Sequence, residues 1–130
     1  MPASQPRIAD EQIVQVIAAL APFQPAVIYL FGSFGTPAQH PESDVDLAFL
    51  PTISSTALDC FRIGNDLAEQ LGNPVDIVDL KHASTVLAKE VFLTGTPLFT
   101  GNPAIQQEFE MRTLSDYARL NEERQPVLNS

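Results

Sequence analysis

Cysteine, basic side chains and long apolar runs are all scarce in this chain of 130 residues. Cys60 is the single cysteine, so the chain cannot form an internal disulfide framework. No run of about 18 apolar residues occurs, which argues against a membrane-spanning helix. Residues Met1 to Arg7 lack the basic and then apolar pattern of a secretory signal. Together these absences predict a cytoplasmic protein.

Basic residues are outnumbered: 7 lysines and arginines stand against 16 aspartates and glutamates, and the formal net charge is −9. Because a negative surface repels nucleic-acid phosphates, unaided tight binding of DNA or RNA is disfavoured. The same charge would attract a basic protein partner and speed its encounter with the chain. Simple solubility is the alternative explanation.

The composition predicts one globular domain. Hydrophobic residues make up 45% of the chain, which argues against global disorder. No internal repeat, low-complexity tract or interdomain linker interrupts it. We therefore expect a single domain over residues 1–130, with a core at about 10–122 and a flexible polar tail at 123–130 that contains Pro126.

Hydrophobic periodicity and turn signals predict an α/β (α+β) fold, a small mixed β-sheet with helices packed on it. The predicted order is helix, strand, strand, helix, strand, helix and helix. The predicted bounds are helices 10–20, 56–71 and 84–94, strands 26–31, 44–50 and 74–80, an extended piece at 97–100, and a final helix that begins at Asn102-Pro103.

Capping residues and apolar stripes orient three of these helices. Asp10 is the predicted N-cap of the first helix, and Thr56 with Asp59 has the spacing of a capping box for the second. The side chains expected to face the core are Ile13, Val14, Ile17 and Leu20 in the first helix, Leu58, Phe61, Leu67, Ala68 and Leu71 in the second, and Ile105, Phe109, Leu114, Tyr117 and Ala118 in the last.

A Gly32-Ser33 turn ends an apolar strand and is followed, after ten residues, by Asp44-Val45-Asp46. Side chains alternate along a strand, so Asp44 and Asp46 emerge on the same face. Adjacent carboxylates repel each other unless a cation lies between them, and Mg²⁺ binds such a set while leaving room for phosphates. The turn can offer backbone N–H groups to those phosphates. The pattern predicts a nucleotide–metal site.

The same residues resemble the signature of the DNA polymerase β-like nucleotidyltransferase superfamily. The short length is similar to its minimal nucleotidyltransferase (MNT) branch, which is often encoded beside a HEPN-domain protein, and the resemblance covers about residues 10–100. It implies a polymerase β-like fold in which Asp44 and Asp46 bind two Mg²⁺ ions, and Gly32 and Ser33 contact the triphosphate. Many relatives continue Gly-Ser-x-Ala-Arg-Gly, whereas Ser33 is followed here by Phe34-Gly35-Thr36-Pro37. Phosphate contacts of the missing arginine therefore cannot be transferred, and Gly35 and Thr36 are candidate substitutes for the arginine-glycine pair. Lys81 is a separate candidate for a phosphate contact.

A third carboxylate is expected from a neighbouring strand, and Asp76 and Asp79 are the candidates. Their separation of three places them on opposite faces of a strand. Asp76 lies within an apolar run, where an unpaired carboxylate is unfavourable, and Asp79 lies near the strand end, where solvation is easy. The resemblance places the third aspartate in a pattern like Val75-Asp76-Ile77-Val78, which favours Asp76 as a metal ligand and catalytic residue.

The resemblance also implies a function. Minimal members act as antitoxins that transfer AMP from ATP to a tyrosine of a HEPN ribonuclease toxin and so inactivate it. The interpretation from another class is a non-catalytic antitoxin that neutralises its toxin by binding alone. A third is nucleotidylation of a small molecule such as an antibiotic, although the chain has little beyond the catalytic sheet to hold such an acceptor.

Overall fold

The structure, a computed structural model, describes residues 8–32 and 44–128, with side chains to residue 122. Its described elements are α1 (Asp10–Leu20), β1 (Val27–Phe31), β2 (Val45–Leu50), α2 (Ala57–Leu71), β3 (Val75–Asp79), α3 (Thr85–Thr94), β4 (Thr96–Thr100) and α4 (Pro103–Leu128), with a short 3₁₀ turn at Ala21–Phe23. No helix within these described ranges has the length and apolar character needed to cross a membrane.

The strands form one mixed sheet in the order β3-β2-β1-β4. Strand β1 is antiparallel to β2 and β4, whereas β2 and β3 are parallel. The mixed sheet is as predicted, and the extended piece after α3 is its fourth strand. Strands β3 and β4 are its two edges, and Val27 to Leu30 of the central β1 are buried, as its continuous apolar sequence predicts.

Two apolar cores lie on opposite faces of this sheet. On the α1/α2 face, the buried side chains include Ile28, Leu30, Leu47 and Phe49 together with Leu20 and Leu67 of the helices. On the α3/α4 face they include Val27, Tyr29, Ala48 and Leu50 together with Ala88 and Val91. Alternation along the strands therefore assigns every second residue of β2 to the α3/α4 face.

The predicted helix ends are largely confirmed. Thr56 caps α2 reciprocally with Asp59: the Asp59 amide donates to Thr56 Oγ1 at 3.1 Å, and the Thr56 amide donates to Asp59 Oδ2 at 2.9 Å. In α4, Asn102 Oδ1 accepts the Ile105 amide at 3.1 Å. The N-cap of α1 is Ala9 and not Asp10 as predicted, because the Gln12 side chain accepts the Ala9 amide at 3.0 Å. Asp10 lies in the first turn, where its charge favours the helix dipole.

The predicted inward faces are partly wrong. Val14, Leu58 and Phe61 are 63%, 54% and 66% exposed, and Ile105, Leu114 and Ala118 are exposed as well. Helix α2 turns Leu67 inward as predicted, together with Gly64, which lets the helix approach the backbone of β3 closely. Helix α4 also continues to Leu128, past residue 122, where we expected the core to end.

Helix α4 packs Phe109 against the apolar core, as predicted, and places the polar side chains of Gln106 and Glu110 over a tyrosine hydroxyl of the sheet. Tyr29 is buried in β1, and its hydroxyl donates to the Glu110 carboxylate. Gln106 Nε2 donates to the same Glu110 oxygen at 3.2 Å. Burial, and then the neighbouring carboxylate, raises the pKa of Tyr29 well above its usual range, so the hydroxyl remains a donor.

Tyr29→Phe is expected to lower the free energy of unfolding by about 1–2 kcal/mol, because Glu110 loses its tyrosine donor while the ring remains packed. Urea denaturation at neutral pH measures the loss. The matched control is Tyr117→Phe, at a half-buried ring whose face lies 4.2 Å from the Lys89 ammonium. A change within about 0.5 kcal/mol is expected there, and equal losses in both variants would contradict this role of Tyr29.

Candidate nucleotidyl-transfer site

The sheet register brings together the acidic residues predicted from the sequence. Asp46 in β2 pairs with Asp76 in the parallel strand β3, and with Phe31 of β1 on its other side. Paired residues of neighbouring strands project to the same face, so both carboxylates lie on the α3/α4 face. Asp44, which is exposed, precedes β2 by one residue. Three carboxylates therefore lie at one end of β2.

The electrostatic environment of Asp46 is entirely unfavourable to its charge. Partial burial raises the pKa of the Asp46 carboxyl most, followed by the charge of Asp76 and then that of Asp44. Among the described side chains, the ion pairs join His82 to Asp79, Arg112 to Glu108 and Arg119 to Asp116, and none includes these three acids. Within residues 8–32 and 44–122, no ion pair therefore offsets the negative charge of the cluster.

The donor set suits a hard cation such as Mg²⁺, because it consists of carboxylate oxygens. Within the described part of the chain, no three acidic, histidine or cysteine side chains are already close enough to enclose a metal ion. A cation bound beside Asp46 would offset the charges of Asp76 and Asp44, which add to the effect of burial in raising the Asp46 pKa.

Gly32 places the end of β1 directly against these acids. Its backbone has φ +78°, a conformation that side-chain-bearing residues rarely adopt. A Cβ atom at this position would overlap Asp46 Oδ2 and lie 3.1 Å from Asp46 Cγ. The predicted turn is thus present at Gly32, and the absence of a side chain lets the Asp46 carboxylate lie directly against the Gly32 backbone.

Several predicted phosphate contacts lie outside the described residues. Ser33, Gly35 and Thr36 all fall within 33–43. Their contacts with phosphates stay predictions. Lys81 follows the far end of β3, and its side chain lines a separate cavity of about 560 Å³ with Leu50 and Phe109. Because Leu50 is the last residue of β2 and Asp46 is near its start, Lys81 is not brought to the acidic cluster.

The environments expected for Asp76 and Asp79 are reversed. Asp76 is exposed, since β3 is an edge strand, whereas Asp79 is 8% exposed. Asp79 pairs with Phe49 and so lies on the opposite sheet face from Asp76. It accepts the Ser55 hydroxyl at 2.5 Å and the Lys81 amide at 2.8 Å, which satisfies its buried carboxylate. Sequence reasoning missed Ser55, because it is one of three consecutive hydroxyl residues before α2 and nothing local distinguishes it.

Comparison with known proteins, like the geometry of the site, indicates a nucleotidyltransferase. A family model described as polymerase beta, nucleotidyltransferase matches residues 11–104. The protein adenylyltransferase MntA of Shewanella oneidensis is 37% identical over 103 residues, which cover 79% of this chain and 73% of the relative.

Solved structures agree in fold. A chain from a crystal structure of a toxin–antitoxin with AMP-PNP superposes with a TM-score of 0.80 at 34% identity, covering 90% of this chain and 95% of that one. A chain from a structure of tri-AMPylated Shewanella oneidensis HEPN toxin in complex with MNT antitoxin gives 0.76 at 31% identity, with coverages of 92% and 94%. With the paired aspartates beside a glycine turn on a mixed sheet, these matches establish that the chain belongs to the polymerase β-type nucleotidyltransferase family.

Proposed function

We propose that this chain is the antitoxin of a HEPN-domain toxin and inactivates it by transferring AMP from ATP to a tyrosine hydroxyl. The observation that carries the proposal is the direct pairing of Asp46 with Asp76 beside Gly32. The relative named protein adenylyltransferase and the structure of an AMP-bearing HEPN toxin with an MNT antitoxin support the choice of reaction and acceptor.

The proposed roles follow the position of each residue. Asp44, Asp46 and Asp76 hold two Mg²⁺ ions, which when bound stabilise the attacking and leaving oxygens of an in-line displacement. The Gly32-Ser33 turn accommodates the β- and γ-phosphates. The tyrosine oxygen attacks the α-phosphorus, the bond to pyrophosphate breaks, and the hydroxyl proton leaves towards Asp76, the carboxylate at the exposed sheet edge.

The product explains neutralisation in electrostatic terms. Each transferred AMP adds a negative phosphodiester and considerable bulk near a site that must bind RNA phosphates, so substrate RNA is repelled. The net charge of −9 on this chain suits a partner that binds RNA, because recognition of RNA phosphates favours a basic surface.

Intact-mass spectrometry of the co-expressed HEPN partner tests this function. With the wild-type chain we expect the partner to gain one or more AMP groups on tyrosine. With Asp44→Asn/Asp46→Asn we expect none, whereas the control Asp10→Asn/Glu11→Gln, which removes two exposed charges from α1, retains the modification. A partner neutralised without any AMP would support the binding-only antitoxin, which the missing arginine-glycine pair after Phe34 favours, and would reject the enzyme.

Gly32→Ala is expected to reduce the rate of AMP transfer about 10²-fold, because the new methyl group displaces the Asp46 carboxylate. The initial transfer rate at saturating ATP measures the effect. Gly72→Ala is the matched control: Gly72 has φ +77°, so the backbone strain is the same, but a Cβ there meets nothing within 4 Å. Equal loss of transfer in both variants would show that backbone strain alone lowers the rate, and that the contact between residue 32 and Asp46 has no part in it.

A further inference from the structure

A groove runs along the outer edge of β3, between this strand and α2. It has a volume of about 600 Å³, and every residue of β3 lines it. On the α2 side the lining includes Cys60, Phe61, Gly64 and Asn65. We call this feature the β3-edge groove.

The floor of the β3-edge groove is strand backbone whose outward amides can donate to an added strand, whereas the Asp79 carbonyl already accepts the His82 amide at 3.0 Å. The Val45 amide donates to the Pro74 carbonyl oxygen at 2.8 Å, and the Leu80 amide donates to that of Phe49 at 2.9 Å. In a parallel ladder with this register, alternate residues pair with the neighbour, so Val75, Ile77 and Asp79 direct their amides away from β2. No described strand lies on that side. Such an edge is a template for an added strand.

Exposed apolar side chains lie on and beside the α2 wall of the groove. Phe61, which is 66% exposed, lines the groove, and Leu58, which is 54% exposed, lies beside it as its neighbour three residues earlier on the helix surface. Gly64 lies close enough that a Cβ there would be 3.1 Å from the Val75 carbonyl oxygen. Helix α2 therefore packs closely along β3. The side chains of Leu58 and Phe61, which we call the apolar lip, lie beside the strand edge that no described strand covers.

The groove is continuous with the acidic cluster, because Asp76 belongs to both. Across the sheet, Gly32 follows β1, Asp46 is in β2 and Asp76 is in the edge strand β3. A segment bound in the groove would therefore reach the cluster from the side opposite the Gly32 turn. The charge of α2 is also negative, with Asp59, Asp66 and Glu69 against Arg62.

We propose that the β3-edge groove docks the acceptor protein through an extended, basic segment. This segment adds to β3 as a strand, places an apolar side chain against Leu58 and Phe61, and brings its hydroxyl to Asp76. The proposal rests on the proposed function, since it names the surface that delivers the acceptor to that site. Main-chain pairing supplies affinity, and the apolar lip with its negative surroundings supplies selectivity.

Steady-state transfer kinetics test the apolar lip. Leu58→Ser/Phe61→Ser is expected to raise the KM for the HEPN partner about tenfold or more, with kcat and the KM for ATP unchanged. The control Leu93→Ser/Met111→Ser changes side chains that are 59% and 65% exposed on α3 and α4, and should stay within about twofold of wild type. A double variant indistinguishable from the control would overturn the proposal.

Amide hydrogen exchange tests the strand pairing independently of catalysis. Without ATP, addition of the purified partner should slow exchange at Val75, Ile77 and Asp79, while Asp76 and Val78, whose amides face β2, serve as internal references. Protection confined to α2 would mean a partner helix or a second copy covers the lip, and would reject an extended segment. If these amides are protected but the wild-type chain transfers no AMP, the docking proposal stands and the proposed function fails.

Discussion

Asp46→Asn is expected to lower the rate of AMP transfer about 10³-fold or more, equivalent to about 4 kcal/mol of activation free energy, and yet to stabilise the metal-free protein. Asp46 pairs with Asp76 at the centre of the acidic cluster, so the proposed Mg²⁺ ions would depend on its charge. The same charge is unfavourable without a cation, because burial, Asp76 and Asp44 all raise its pKa. Activity and stability should thus change in opposite directions.

The sign of the stability change follows from this pKa shift. A carboxyl whose pKa is higher in the folded state than in the unfolded state favours folding when protonated, and that contribution is lost as pH rises above the unfolded value of 3.8. At pH 7 the asparagine variant avoids this loss, and a gain of about 0.5 kcal/mol is expected, typical of relieved repulsion between strand neighbours. The difference from wild type should shrink as the pH falls towards 3.8.

Urea denaturation of both proteins at pH 7 and near pH 4, with and without Mg²⁺, measures these effects. Mg²⁺ should stabilise the wild type more than Asp46→Asn and so remove the difference at pH 7. Asp116→Asn, which removes the carboxylate bound by Arg119 on α4, is a control that should show no such dependence on Mg²⁺. If Asp46→Asn were less stable than the wild type at pH 7 without Mg²⁺, the claim that the Asp46 charge destabilises the metal-free protein would be wrong.

The second large effect separates the two candidates for the third carboxylate. Asp76→Ala is expected to reduce AMP transfer about 10²–10³-fold while changing the free energy of unfolding by less than about 0.5 kcal/mol, since Asp76 is exposed. Asp79→Ala should instead lower the free energy of unfolding and leave AMP transfer nearly unchanged. It leaves the buried Ser55 hydroxyl and the Lys81 amide without their acceptor, which costs about 2–3 kcal/mol.

Thermal unfolding and transfer rates below the unfolding transition distinguish these outcomes. Asp79→Ala should lower Tm by about 5–10 °C and retain transfer within a few-fold of wild type. If folded Asp79→Ala lost transfer as fully as Asp76→Ala, the assignment of Asp76 as the third carboxylate would be wrong. Ser55→Ala, which removes only the hydroxyl donor, should show a smaller stability loss of the same kind.

Local signals in the sequence predicted the elements well. The capping box at Thr56 and Asp59, the cap at Asn102 and the continuous apolar β1 depend on neighbouring residues and are present as predicted. The pairing of Asp46 with Asp76 also agrees with the expectation that these carboxylates lie together, although the sequence of neither strand alone specifies the strand order.

Features that depend on tertiary placement could not be predicted. Leu58 and Phe61 share a plausible helical face, but the close approach of α2 at Gly64 turns other residues inward. Asp76 is exposed and Asp79 buried because β3 is at the sheet edge and Ser55 covers its far end. Likewise, the contacts of Glu110 and Gln106 in α4 with the Tyr29 hydroxyl join residues that are far apart in the sequence.

The most direct test uses ATP labelled in turn on the α- and the γ-phosphate, with the purified chain and its HEPN partner. Transfer of AMP predicts that the α-label enters the partner's tyrosine, that the γ-label leaves with pyrophosphate, and that a chelator stops incorporation. Incorporation of the γ-label, or no incorporation with a fully neutralised partner, would contradict the central claim that Asp44, Asp46 and Asp76 form a nucleotidyl-transfer site.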